Sequence, residues 1–343
     1  MAKLLNEIEW GMPLLAPDPN TQYESQLIKR LSPWLSATLA SLSEPEKVAC
    51  APLKLMGVAY FVASQENACR YCYGTARALM KIWGYSEKQI QDLEHEASLA
   101  GGLTRRVVEF ARKLAKSNPS PAREDRDGLL KEGLSPEAVA EIAACVVKAC
   151  FANRMSTFLA LPPNQDMENL PDSFVGRVFG FFLRKQMVPR RAPPPEGYRN
   201  EGPCAAIIAA AGQTWIAAWL RRLTDGWLAS PVLPNRSKLL MLAVIAKQLG
   251  SQLCEEETAR SLGREGLSEP EIATILATLS STSLSPLEAT LLRWTRDTVW
   301  YEPRVIQNTT RRLLAEVGEE TTLEAVGTAA VGNTLARLSL VRQ

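Results

Sequence analysis

The chain has 343 residues, 46% hydrophobic and 22% charged, with 39 basic against 37 acidic side chains and a formal net charge of +2. That composition buries one or two ordinary cores and excludes disorder, while the even charge leaves no electrostatic footprint for nucleic acid. Seven cysteines, an odd and scattered set, exclude a secreted disulfide scaffold and point to thiols kept reduced, hence to the cytoplasm.

Nearly every long segment repeats apolar residues at helical spacing, and few alternate. Helices are predicted over 26–42, 53–62, 105–115, 136–158, 237–249, 270–279 and 286–298, which makes the fold class all-α. Serines that precede Pro or Glu mark helix starts at Ser86, Ser135, Ser268 and Ser285, as capping and the helix dipole favour. Residues 1–10 carry charges inside their apolar run, unlike a signal peptide, and no stretch of 18 uncharged apolar residues exists to span a membrane. The single histidine, His95, lies in a charged segment and reads as solvent-exposed; its solitude excludes His-rich metal sites.

The stretch that carries chemistry is Glu66-Asn67-Ala68-Cys69-Arg70-Tyr71-Cys72, which runs into a helical pattern. Two cysteines three apart at a helix start face the same side. They can close a small disulfide ring, and the helix dipole there favours a thiolate.

The chain repeats itself. Cys72, followed by Gly84-Tyr-Ser-Glu-Lys-Gln-Ile, returns 182 positions on as Cys254 with Gly266-Leu-Ser-Glu-Pro-Glu-Ile. Further anchors near Lys54, Glu109, Leu129 and Asn153 recur in the same order near Lys238, Arg293, Leu313 and Ala336, which argues for duplication. The second copy has Ser251 where the first has Cys69, and Cys254 is followed by three glutamates that disfavour a thiolate. Three regions are expected: 1–163 with the cysteine pair, 164–203 as a linker, and 204–343 as a degenerate copy. The linker holds a Phe-rich piece from Phe174 and a proline run from Pro189. It reads as a packing helix and an extended spacer, with no membrane contact expected.

These motifs together resemble the AhpD-like, or carboxymuconolactone decarboxylase, superfamily, especially its peroxidase-related branch. The resemblance rests on Cys69-Arg-Tyr-Cys72, Gly84-Tyr-Ser-Glu-Lys-Gln-Ile, Leu103-Thr-Arg-Arg-Val-Val-Glu-Phe-Ala-Arg-Lys-Leu, Gly133-Leu-Ser-Pro-Glu-Ala-Val and the closing stretch from Phe151 to Pro163. It covers about residues 45–163 and, by duplication, about 230–340. It implies two tandem helical domains paired as an intrachain pseudo-dimer, with no metal and no cofactor. It also implies that Cys72 attacks a hydroperoxide and Cys69 resolves the product to a disulfide, which an external dithiol then reduces. The partners implied are a hydroperoxide or disulfide substrate, that reductant, and further copies of the chain in a homo-oligomer.

Two departures stand out. The family's histidine four residues after the second cysteine is Ala76 here, and its glutamate twelve before the first is Gly57. General acid–base help is worth about 10²–10⁴-fold, so family-type activity should be weak or use substitutes. Glu66 is a candidate base, Arg70 and Arg77 candidates for lowering a thiol pKa, and Tyr71 and Tyr73 candidate donors. A small apolar pocket lined by Cys145, Val146, Ala149, Phe151, Leu79 and Trp83 competes with a plain core reading of the same residues. Alternative functions remain open: a non-catalytic binding or scaffold protein on the same fold, a metal site using Glu66, Cys69 and Cys72, or a decarboxylase-type activity.

Overall fold

The computed structural model describes residues 3–18, 23–42, 50–95, 101–121, 123–176, 178 and 198–342. Among them every regular element is helical and no strand occurs, so the chain is all-α. Helices α1 (Tyr23–Arg30) and α2 (Pro33–Leu42) replace the single helix predicted over 26–42. Pro33 has no N–H to continue α1 and disfavours helical backbone at Ser32, yet it suits the first turn of α2.

The first half continues with α3 (Leu53–Glu66), α4 (Arg70–Ile82), α5 (Glu87–His95), α6 (Gly102–Lys116), α7 (Arg123–Lys131) and α8 (Pro136–Leu159). After the short α9 (Gln165–Asn169) and α10 (Ala205–Ile208) comes α11 (Trp215–Ala229), which the apolar spacing did not single out. Then α12 (Asn235–Leu249), α13 (Gln252–Arg264), α14 (Glu269–Thr278), α15 (Pro286–Asp297), α16 (Pro303–Val317) and α17 (Glu319–Ser339) repeat the order of α3 to α8. The proline run and most of the Phe-rich piece lie outside the described residues; Phe174 and Val175 are exposed.

The four serine starts are realised. The Ala138 N–H donates to Ser135 Oγ at 3.2 Å, and the Glu288 N–H to Ser285 Oγ at 3.1 Å. Ser86 exchanges bonds with Gln89, and the Ser268 N–H donates to Glu271 at 2.9 Å. Each satisfies donors that a helix start leaves orphaned.

In the first half α3 packs on α4, α6 and α8; in the second, α12 packs on α13, α15 and α17. Helices α8 and α17 cross at the centre, and nearly every side chain of each is buried. That explains their weak amphipathicity: a helix covered on all sides needs no polar stripe. Helix α8 is long and apolar enough to match a membrane span, but 94% of that window is buried inside the bundle.

The two halves exchange the same bond in both directions. Arg154 of α8 donates to the carbonyls of Thr298 and Val299, just beyond the end of α15. Arg337, at the matching position of α17, donates to the Ala115 carbonyl in the last turn of α6 at 2.9 Å. Ala115 and Thr298 stand 183 positions apart, as do Arg154 and Arg337. Both arginines are fully buried, and neither is ion-paired among the described residues. The negative end of a helix dipole is what compensates each charge, worth up to about 2 kcal/mol in partly buried sites. Tyr301 lies between them, its ring 3.7 Å from the Arg154 guanidinium and 5.4 Å from that of Arg337. Burial pulls the Arg154 pKa down to about 10.

The leading helices reach across as well. Trp34 of α2 donates to Glu324 of α17 at 3.0 Å, and its ring fills the space that a Cβ on Gly327 would need. Trp219 of α11 meets Phe151 of α8 edge-on, with ring centroids 5.7 Å apart. Residues 23–42, grouped with the first repeat by sequence, therefore contact the second half closely.

Candidate functional site

Helix α3 ends at Asn67, whose N–H donates back to the Ala63 carbonyl at 3.0 Å. Ala68 then reverses the chain at φ +46°, a left-handed conformation rare for a residue with a Cβ. Gly250 does the same job at φ +64° in the second half. The reversal places Cys69 as the N-cap of α4, where its Sγ accepts the Cys72 N–H at 3.4 Å. The expected shared face of the two cysteines is thus present. Cys69 is 0% exposed and Cys72 3%, and both are free thiols.

Helix α8 forms the floor beneath them through Ala152 and Ser156, and Trp10, Leu42 and Tyr71 cover the pair. Cys72 Sγ lies 3.4 Å from Ser156 Oγ. Burial by itself would raise the Cys72 pKa, but hydrogen bonds from Cys69, Ser156 and Asn153 outweigh it and leave the thiol below its ordinary value. Cys69 moves the other way. Burial pushes it well up, and the hydrogen bond and charge of Cys72 add to that, against weaker help from the Cys72 N–H and Thr157.

A buried polar chain leads away from Cys72. The Asn153 amide donates to Ser64 Oγ at 3.1 Å, and its Oδ1 accepts from Asn67 Nδ2 at 2.8 Å. Asn67 Nδ2 also reaches Cys150 Sγ at 3.5 Å, and the Tyr301 hydroxyl donates to the Cys150 carbonyl at 2.9 Å. The chain therefore runs from the dithiol to the junction between the halves. Asn67, Asn153, Ser156 and Thr157 were not among the residues expected from sequence. The signal for Asn153, Ser156 and Thr157 is polar side chains at helical spacing in an otherwise apolar closing stretch, and for Asn67 its place two residues before Cys69.

The expected substitutes for the family base are committed elsewhere. Glu66 is buried, bound by Arg112 at 2.8 Å and Lys116 at 3.1 Å, and it lines a cavity of about 600 Å³ that contains neither cysteine. Its position in α3 turns it toward α6, so sequence proximity to Cys69 does not make it a base for the pair. Arg70 pairs with Glu168 at 2.5 Å, and Arg77 with Glu87 and Glu94. The Tyr71 and Tyr73 hydroxyls donate to Glu24 at 2.5 Å and Glu94 at 2.7 Å. His95 is exposed at the end of α5.

The two positions that depart from the expected pattern are both enclosed. A Cβ on Gly57 would lie 2.2 Å from the Trp83 ring, so the place of the family glutamate is filled by an indole. Ala76 is buried in the main core. Cys145, Val146, Ala149 and Phe151 are core residues too, and neither that cavity nor the one beside Trp10 includes them.

A second cavity, of about 640 Å³, contains neither cysteine but is lined by Trp10, which packs on the dithiol cluster, and by Pro13, Pro162, Pro163 and Arg70, among others. In the second half Ser251 bonds Ser339, at the position matching Ser156, and among the described residues the Cys254 thiol meets only Thr258, at 4.0 Å. Burial raises the Cys254 pKa strongly, and Cys204, Glu255 and Glu257 add to it. Among the described residues no three His, Cys, Asp or Glu side chains gather as a metal site. No protein-family model, curated protein or solved structure matches this chain.

Proposed function

We propose that this chain is a thiol–disulfide redox protein of the AhpD-like type, in which two tandem halves pair as an intrachain pseudo-dimer and only the first keeps working thiols. One observation carries the reading: Cys69 caps the helix that holds Cys72, with its Sγ 3.4 Å from the Cys72 N–H, and the groups around Cys72 shift it toward thiolate while burial keeps Cys69 protonated. Groups pushed apart in this way divide a reaction between them. Cys72 thiolate attacks the distal oxygen of a hydroperoxide, and the O–O bond breaks. The sulfur is oxidised to sulfenic acid and the leaving alkoxide takes up a proton to become an alcohol. Cys69 then condenses with the sulfenic acid, losing water and forming the disulfide before further oxidation. An external dithiol returns two electrons and two protons. Ser156 and Asn153 take the place of the absent histidine and glutamate by holding the thiolate, without acting as bases. The reciprocal bonds of Arg154 and Arg337 support the pseudo-dimer, and free thiols throughout fit a reducing, cytoplasmic setting.

A binding or scaffold role is the second reading, favoured by the near-complete burial of both thiols and by Trp83 filling the relay position. Peptide mass mapping after a hydroperoxide pulse separates the two. The redox reading expects a rapid Cys69–Cys72 disulfide in the wild type and sulfenic acid trapped on Cys72 in Cys69→Ser. Oxidation no faster than that of free cysteine refutes it.

A further inference from the structure

Both thiols are covered, so any reagent must first move part of that cover. Among the described residues, three partly buried hydrophobic side chains pack against the cluster of Cys69, Cys72 and Ala152: Trp10, Leu42 and Tyr71. Tyr71 is tied to Glu24, and neither it nor Leu42 lines the 640 Å³ cavity; Trp10 does. Its half-buried side chain packs against the cluster of Cys69, Cys72 and Ala152 and also lines the 640 Å³ cavity.

Trp10 sits on an irregular strap, residues 8–14, laid across the junction of the two halves. On one edge the strap is bonded to the end of the first half. The Leu14 N–H donates to the Leu159 carbonyl at 2.9 Å, and the Trp10 indole N–H donates to the Leu161 carbonyl at 2.8 Å. On the other edge it is bonded to α16. The Gly11 N–H donates to Gln307 Oε1 at 2.9 Å, Arg311 donates to the Met12 carbonyl, and Arg304 pairs with Glu9 at 3.0 Å. Gln307 is buried in the second half, and its Nε2 has no partner among the described residues, so its carbonyl end is aimed at the strap. A Cβ on Gly11 would lie 2.7 Å from Gln307 Oε1, so the end of the glutamine side chain must shift to admit one.

We propose that this strap is the gate of the dithiol. Trp10 is the panel between cavity and thiols, anchored on the first half at Leu14 and latched on the second at Gln307. The second half, which has no dithiol of its own, thereby controls access to the pair in the first. The cavity selects what passes. Ile8, Pro13, Pro17, Pro162 and Pro163 are apolar, and Arg70, the one charged lining residue, is neutralised by Glu168. Uncharged apolar molecules enter, and anions gain nothing there. The inference rests on Cys72 as the working thiol, but its test does not need turnover.

The test is the rate at which N-ethylmaleimide alkylates Cys72 in the reduced protein, read by peptide mass mapping in wild type, Trp10→Ala, Gly11→Ala and Leu42→Ala. Trp10→Ala opens the panel and Gly11→Ala pushes the strap off its latch while leaving the indole in place. Each should raise the rate at least about tenfold, equivalent to about 1.4 kcal/mol less opening work. Leu42→Ala, which thins the cover away from the cavity, should change it less than about threefold on the same scale. The gate is overturned if Trp10→Ala and Gly11→Ala leave the rate unchanged, or if Leu42→Ala accelerates it equally. Fast alkylation in both strap variants, without disulfide formation under peroxide, would keep the gate and refute the redox reading.

Discussion

Replacing Asn153 removes a fully buried side chain that bridges two parts of the site. In Asn153→Ala the Asn67 amide loses its 2.8 Å acceptor and keeps only the Cys150 sulfur at 3.5 Å, while Ser64 still donates to the Tyr60 carbonyl at 3.0 Å. One buried donor is thus orphaned, at about 1–3 kcal/mol, and the space left by the amide adds about 1 kcal/mol. The total, about 2–4 kcal/mol, is a large fraction of the stability of an ordinary domain. Cys72 loses a neighbouring amide that helps to hold its pKa down. A hydrogen bond to a charged group is worth about 1.5–3 kcal/mol, so the thiolate population at neutral pH should fall roughly tenfold to a hundredfold. Asn153→Asp keeps the volume but turns the donor into a carboxylate that repels the thiolate, so its loss should be larger. The assay is the pH dependence of Cys72 alkylation by iodoacetamide, resolved by peptide mass, beside urea unfolding. The expected order of reactivity at pH 7 is wild type, then Asn153→Ala, then Asn153→Asp. Equal pH profiles in all three would refute the assignment of Asn153 as a thiolate donor.

Arg154→Met and Arg337→Met should each destabilise the chain by about 2–4 kcal/mol, since each strands buried carbonyls at a helix end of the opposite half. Unfolding that separates into two transitions in either variant would show the loss at the junction, and a cost below about 0.5 kcal/mol would refute the reciprocal role. Burial, with Glu257 adding to it, raises the Cys204 pKa to about 12, and burial also raises Cys69, Cys150 and Cys254. For these thiols the unfolded chain ionises first, so their contribution is intact below about pH 8.5 and is lost as pH rises toward the folded value. Cys72, shifted down, contributes in the opposite sense, adding stability above the unfolded value and losing it as pH falls through the folded one. The urea midpoint should therefore drop between about pH 8 and pH 10, and Cys204→Ala should flatten the drop; an unchanged slope refutes this. Gly57→Ala, which would help an open helix by about 1 kcal/mol, should here cost about 1–2 kcal/mol against the Trp83 ring. Trp83→Leu should remove that penalty in a double-mutant cycle, and additive effects would refute the contact.

Local chemistry was legible in the sequence, and what failed to show was contact at a distance. The capping serines at 86, 135, 268 and 285 act within three residues, so their role could be read directly. The cysteine pair was visible for the same reason: Cys69 caps the helix that holds Cys72. Glu66 misled because nearness along the chain was taken for nearness in space. It closes α3, and the basic residues of α6 hold its carboxylate. Asn153 and Ser156 lie more than 80 positions from the cysteines and become neighbours only when α8 packs beneath α4. No spacing rule connects them. The break at Ser32 was missed through a weaker lapse, since Pro33 announces it and the apolar pattern merely runs past.

The reciprocal arginines sit on one polypeptide, and this changes what substitution can do. In a pair of identical chains every replacement is written into both members at once. A thiol lost from one is lost from the other, and a latch grown on one appears on its twin. A single chain carrying both halves escapes that bond. Arg154 and Arg337 have stayed alike, where each needs the other half's helix end. Cys69 and Ser251, or Ala68 and Gly250, differ at matching positions. Likeness at the seam and licence away from it allow one half to hold a cysteine pair that its counterpart lacks.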